Sequence, residues 1–348
     1  MKRPDSSERL PQSAPAIPAR VHGGPDTLGV PRFDFSTNSN ACGPCPQALA
    51  AVQQADATRY PDPRYTALRN ALAEFHGVQP GRILIAGSAS ECIFRLTAWV
   101  ARQGGATVCL PRHAYGDYAQ AAQAWGLALT FEPTQASLVW ACEPSSPLGQ
   151  AHTPWPAWLS SCDSSRHTLV LDCAYAPLRL SGAPSLSAAQ RDQVWQMFSP
   201  NKSLGLTGVR AAYAIAPLGS EVAVQALDAL APSWPLGAHG VALLQAWVQP
   251  EVQAWLSDSL YTLRDWKARQ IAVLSELGWT CLPSEANFFC ARSGDEVTRW
   301  AAELAHLRGQ GIKLRDTTSF GLPGHARLGV LPPAAQDALL AAWQCRAG

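Results

Sequence analysis

Between residues 82 and 230, short apolar runs alternate with stretches of helical periodicity, and this alternation constrains the fold more than any other feature of the chain. Runs near 82–86 (Arg-Ile-Leu-Ile-Ala), 106–110, 137–142, 168–172 (Thr-Leu-Val-Leu-Asp), 193–198 and 210–216 read as strands. Helices are expected near 64–76, 89–103, 115–126 and 218–230. Strands that are apolar on both faces need cover on both faces, so the predicted architecture is α/β with a mostly parallel sheet. Ligands of such sheets bind at the carboxyl edge of the strands, which draws attention to Ser88 to Ser90, Ser146, Asp172 and Lys202. From Gly237 a helical run continues to about Leu277, interrupted near Pro250. Strands near 287–292, 312–316 and 325–330 follow, with helices near 295–308 and 333–345. The pattern predicts an N-terminal arm over 1–35, a large domain over 36–236, and a linking helix with a small C-terminal domain over 237–348. With 348 residues and 47% hydrophobic content the chain has enough apolar surface for both domains.

Composition excludes several classes. Lys+Arg of 27 against Asp+Glu of 26 leaves a formal charge of +1, with no basic run to track a phosphate backbone, so nucleic acid is not an expected partner. Residues 1–30 are rich in Pro, Ser, Arg and Gly without an apolar h-region, and no stretch is long enough to span a bilayer; a soluble, cytoplasmic protein without membrane contact is expected. Most of the ten cysteines lie singly in apolar runs and read as small core residues. Cys42-Gly43-Pro44-Cys45 copies a redox tetrapeptide, but a polar run precedes it where a buried strand would be needed; it is expected to be a structural loop near the substrate entrance. No Cys/His spacing suits a metal.

Lys202, one of four lysines, lies in Phe198-Ser199-Pro200-Asn201-Lys202-Ser203-Leu204-Gly205-Leu206-Thr207-Gly208-Val209-Arg210. An amine that condenses with an aldehyde cofactor has to sit beside an anion-binding shell, and the hydroxyl of Ser199 and the guanidinium of Arg210 could supply one. Ser-x-x-Lys also occurs as a hydrolase nucleophile motif, which needs a Lys-Thr-Gly strand that this chain lacks. The longer pattern resembles the lysine segment of fold-type I pyridoxal 5′-phosphate (PLP) enzymes, the aspartate aminotransferase superfamily. The resemblance implies that Lys202 carries PLP and that Ser199 and Arg210 hold its phosphate.

Other segments extend this resemblance. Asp172 closes a strand in Asp172-Cys173-Ala174-Tyr175, thirty residues before the lysine; the resemblance makes it the partner of the pyridine nitrogen, with Tyr175 reaching the phenolic oxygen. Gly87-Ser88-Ala89-Ser90-Glu91 reads as a helix start with a capping glutamate, and on the family pattern Ala89 and Ser90 line the phosphate cup. Tyr115 is expected to cover the ring, with His113 as the alternative. Ser146-Pro147-Leu148-Gly149 stands where the family has Asn-Pro-Thr-Gly, so Ser146 would meet the phenolic oxygen with a shorter side chain and one donor. Tyr60 resembles the tyrosine that reaches the neighbouring subunit's cofactor, which implies a homodimer. Arg327 occupies the place of the arginine that holds the substrate carboxylate.

His22-Gly23-Gly24, Phe33 to Asn38, Ser233-Trp234-Pro235 and the run from Leu314 to Gly324 together look like the threonine-phosphate decarboxylases of cobalamin biosynthesis. That resemblance implies decarboxylation of O-phospho-L-threonine to (R)-1-amino-2-propanol phosphate, with His22 and Arg315 at the substrate phosphate and Asn38 among the substrate-binding residues. The family's second arginine falls on Leu331, and an Asn after the Pro-Trp segment on Gly237. The alternative is a histidinol-phosphate-type aminotransferase. A non-enzymatic regulator or scaffold on the same fold is the remaining reading, opposed by the intact Lys202, Asp172 and Arg210 and by a tail too short for a DNA-binding unit.

Overall fold

The computed structural model describes residues 21–160, 162–163, 166–294 and 297–345; the first twenty residues of the expected arm lie outside them. A seven-stranded sheet runs in the order Ile83–Ala86, Ala212–Ile215, Trp195–Phe198, Thr168–Asp172, Leu138–Cys142, Thr107–Cys109, Ala128–Thr130. Ala212–Ile215 lies antiparallel to both neighbours, and the other pairings are parallel. Alternate residues of one strand serve different cores: Leu84 and Ala86 pack with Trp140, Val170 and Met197, whereas Ile83 and Ile85 pack with Leu68, Leu72 and Tyr213. Burial on both faces explains why the strands read as unbroken apolar runs. The helices Ala89–Arg102, Gly116–Ala124 and Glu221–Asp228 follow their strands as expected.

A second sheet has the order Arg315–Asp316, Ala326–Gly329, Phe288–Arg292, Thr280–Cys281, all antiparallel. The helical run divides into Ala238–Trp247 and Pro250–Glu276, with Pro250 at the first position of the second helix, where its missing N–H costs nothing. The expected strand over 312–316 is in fact two. Ile312–Lys313 pairs in parallel with Phe33–Asp34, and after Leu314 the chain changes partner, so that Arg315–Asp316 joins the four-stranded sheet. The elements not expected include the edge strand Ala128–Thr130, the helix Pro46–Gln53, the short helices Trp155–Leu159 and Ala188–Arg191, and the two-residue strands Phe33–Asp34 and Thr280–Cys281. Among the described residues no helix is long and apolar enough to cross a membrane.

Candidate active site

The loop carrying Lys202 is fixed from behind. Asn40 donates its backbone N–H to the Lys202 carbonyl at 2.9 Å and its side-chain amide to Ser203 O at 3.1 Å, and the Cys45 N–H donates to Leu204 O at 2.9 Å. Gly205 has a φ of 69°, and a Cβ there would lie 3.0 Å from Gly43 Cα, so the two loops approach to a distance only glycine permits. Cys42-Gly43-Pro44-Cys45 is therefore a brace under the lysine loop. It does not stand at the substrate entrance: it lines neither cavity around Lys202. Burial pushes the Cys42 thiol up, opposite to the shift an attacking thiol needs, and all ten cysteines are free.

Two adjoining cavities meet at Lys202. The inner one, about 90 Å³, lies at the carboxyl edge of the large sheet and is lined by Ala89, Ser90, Tyr115, Ser146, Asp172, Tyr175, Ser199 and Arg210. Ser88 caps the helix Ala89–Arg102 by accepting from Glu91 N at 3.0 Å, and the amides of Ala89 and Ser90 before it have no intrahelical partner. Ser199 Oγ is buried and has no partner among the described residues. The Lys202 amine lies 5.5 Å from the centroid of the Tyr175 ring, and that ring meets Phe288 edge-on at 4.7 Å. Tyr115 lines the cavity with its hydroxyl 3.3 Å from Ser90 Oγ, whereas His113 turns away to Phe320 O at 2.7 Å and does not line it.

Asp172 is 5% exposed. Burial pushes its carboxyl above the usual carboxylate range, opposed by hydrogen bonds from the Tyr118 hydroxyl at 2.6 Å and the Ala174 N–H at 2.8 Å and by the charge of Lys202. Sequence reasoning missed Tyr118. It also missed Asn201, which lines both cavities with a buried, unpartnered Oδ1. Tyr118 reads as a core aromatic in an alanine-rich helix, and only its spacing of three from Tyr115 hinted at a shared face.

The outer cavity, about 660 Å³, is lined by His22, Asn38, Arg315 and Arg327 together with Lys202. The His22 ring lies 6.1 Å from that of Tyr115, and the Asn38 amide is buried without a side-chain partner. Gly23 packs so closely on the Ser36 carbonyl that no Cβ would fit, which brings the N-terminal segment over the cavity. Arg315 and Arg327 are directly opposite one another across antiparallel strands, and their guanidiniums share the Phe320 ring at 4.7 and 5.6 Å. Arg315 donates to Val21 O at 2.7 Å and Ser319 Oγ at 2.8 Å; Arg327 donates to Ser36 O at 2.9 Å and Ser146 Oγ at 3.1 Å, and its Nε has no partner. Neither forms an ion pair among the described residues. Burial, and then the charge of Arg327, pull Arg315 down to about 10. Like charges opposed across a sheet are unfavourable unless anions lie between them.

Tyr60 is the one predicted site residue that lines neither cavity; it is 78% exposed and stacks on Trp234 at 4.4 Å. A cleft of about 940 Å³ opens at the other end of the strands around Trp99, Ser137 and Asp192, without a lysine or a comparable anion shell.

The sequence profile of aminotransferase class I and II matches residues 31–342. The chain belongs to that family. It is 30% identical over 344 residues to a histidinol-phosphate aminotransferase of Jannaschia sp., covering 93% of this chain and 92% of that one. It is 29% identical to the enzyme of the same name from Roseobacter denitrificans, covering 86% of each. The fold matches the histidinol-phosphate aminotransferase of Sinorhizobium meliloti, solved in complex with PLP, at a TM-score of 0.74, 23% identity and 88% coverage of both chains. It also matches the L-threonine-O-3-phosphate decarboxylase of Porphyromonas gingivalis at a TM-score of 0.70 and 18% identity, covering 88% of this chain and 96% of that one.

The protein is a PLP-dependent enzyme of the aminotransferase class with the fold-type I architecture. The residues present fit the cofactor. The orphaned Ser199 hydroxyl, the Arg210 guanidinium and the free first-turn amides form a donor set for a phosphate, while the buried Asp172 carboxylate suits a protonated pyridine nitrogen.

Proposed function

We propose that the enzyme transfers an amino group from a small phosphorylated amine of the histidinol-phosphate class to a 2-oxo dicarboxylic acid. The observation that carries this reading is the pair of buried guanidiniums, Arg315 and Arg327, opposed across one sheet without a carboxylate and facing the cavity of Lys202. The phosphorylated amine and the dicarboxylic acid that takes over its amino group both bring anions to one cationic end, so a single pair of forks serves both halves of the reaction. The names of the curated relatives support the same reading.

PLP, when bound, supplies an electron sink conjugated to the substrate's α-carbon. Lys202 would anchor the cofactor, and its Nζ would serve as the base that takes the proton from the substrate's α-carbon. Asp172 keeps a proton on the pyridine nitrogen. Arg327, held by Ser36 and Ser146, fixes one anionic group and thereby sets which bond at the α-carbon breaks. The segment around Gly23 closes over the substrate and excludes water. The enzyme is proposed to work as a homodimer in which the exposed Tyr60 serves the partner subunit's phosphate site.

A second reading, decarboxylation of O-phospho-L-threonine, draws on the same arginines, since they would hold the carboxylate and phosphate of one molecule. The sequence motifs speak for it, but the names of the relatives speak for the aminotransferase. Leu331 also weighs against it: a partly buried leucine packed on the core replaces an arginine of that family. The two readings separate when the purified enzyme receives histidinol phosphate with 2-oxoglutarate and, separately, O-phospho-L-threonine. Glutamate from the first and no CO₂ from the second is the expected result. CO₂ without glutamate replaces the proposal by the decarboxylase.

A further inference from the structure

We propose that Tyr118 is a positioning residue for the cofactor, holding Asp172 ionised and aimed into the inner cavity. The Asp172 carboxylate has two oxygens and two partners: Oδ1 accepts from Ala174 N at 2.8 Å, and Oδ2 accepts from the Tyr118 hydroxyl at 2.6 Å. The first contact is local, two residues along the chain, and restrains only one oxygen. The second comes from a different element, the helix Gly116–Ala124, and stops rotation about the bond to the carboxylate.

Tyr118 is itself immobile. It is fully buried, and its ring stacks on Trp140 at 4.6 Å with 13° between the planes. Trp140 belongs to the strand Leu138–Cys142, which is in register with the strand of Asp172 through the pair Cys142 and Asp172. Helix, indole and two adjacent strands thus form a rigid frame around one hydrogen bond. Burial pushes the phenol well above its ordinary range, so the proton stays on Tyr118 and the hydroxyl always donates. Burial pushes Asp172 towards its neutral form, and the Tyr118 hydrogen bond is the largest influence acting the other way. A neutral Asp172 would not stabilise a protonated pyridine nitrogen. The Tyr118 hydroxyl is therefore what reconciles a buried site with a charged carboxylate.

The test is the equilibrium affinity of the apoenzyme for PLP, read by quenching of intrinsic fluorescence from pH 5 to pH 9 in wild type, Tyr118→Phe, Asp172→Asn and the double variant. Tyr118→Phe keeps the stacked ring and removes one donor, so a packing role alone would leave the curves superimposed. The expected result is PLP affinity lowered about tenfold at neutral pH. The loss should deepen on acidification and begin at a higher pH than in wild type, because Asp172 without its donor takes up a proton more readily. In the Asp172→Asn background the Tyr118→Phe change should add little. Wild-type affinity at every pH in Tyr118→Phe, or additive losses in the double variant, overturns the proposal.

Discussion

The two ends of the cavity at Lys202 are built on opposite principles. At the inner end the one buried acid has both oxygens engaged, and the basic groups are spaced around a shell for a single phosphate. At the outer end two guanidiniums face each other with no acid between them, and the nearest segment, Val21 to Ser36, is tied down by backbone carbonyls and small hydroxyls. The inner end pairs its acid within the protein and leaves neutral donors and acceptors, such as the Ser199 hydroxyl and Asn201 Oδ1, open to a ligand, whereas the outer end leaves positive charge unmatched.

The largest effect should come from the inner end. Lys202→Ala should abolish turnover, and borohydride treatment of the wild type followed by peptide mapping should place the cofactor label on Lys202; a label on Lys267 or Lys313 would break the assignment of the two ends. Asp172→Asn should keep some bound cofactor and lose turnover by about a thousandfold or more, ~4 kcal/mol at 1.36 kcal/mol per decade, measured as kcat. Near-normal kcat in that variant removes Asp172 from its role.

At the outer end the effect should be smaller and of a different kind. Arg327→Lys should lower kcat/KM by about a hundredfold, because an ammonium cannot replace a fork that binds Ser36, Ser146 and an anion together. PLP affinity should not change. A parallel loss of cofactor would show that the ends are not separable. The smallest effect belongs to the brace: Cys42→Ser with Cys45→Ser should leave kcat within about twofold in reducing buffer while lowering Tm by a few degrees, since Cys45 is fully buried. Insulin reduction by the wild type that disappears in the double variant would restore the redox reading.

The inner end was the more legible in the sequence, for a physical reason. Asp172 closes an apolar strand, Lys202 follows one and Ser90 lies in the helix after one, and an unbroken apolar run marks such a strand without reference to distant residues. The opposition of Arg315 to Arg327 depends on the register of two short antiparallel strands, and the switch of partner at Leu314 leaves no composition signal. Tyr118 was hidden because its meaning lies in a bond to Asp172, fifty-four residues away. The edge strand Ala128–Thr130 escaped notice because Ala128 and Leu129 are exposed, so it lacks the pattern of its buried neighbours. Pro46–Gln53 buries only Ala48 and Val52 and has no side-chain cap, so it carries neither a broad apolar stripe nor a polar capping residue at its start.

The parallel pairing of Phe33–Asp34 with Ile312–Lys313 joins segments that lie nearly a whole described chain apart. During synthesis every strand of the large sheet, and with it Tyr118, Asp172 and Lys202, leaves the ribosome before Arg315 exists. Phe33–Asp34 is made before the large sheet and waits through its whole synthesis for its partner. Closing so long a loop is slow relative to local pairing. The nascent chain therefore passes through a stage in which every strand of the large sheet has been made and the strands bearing Arg315 and Arg327 have not.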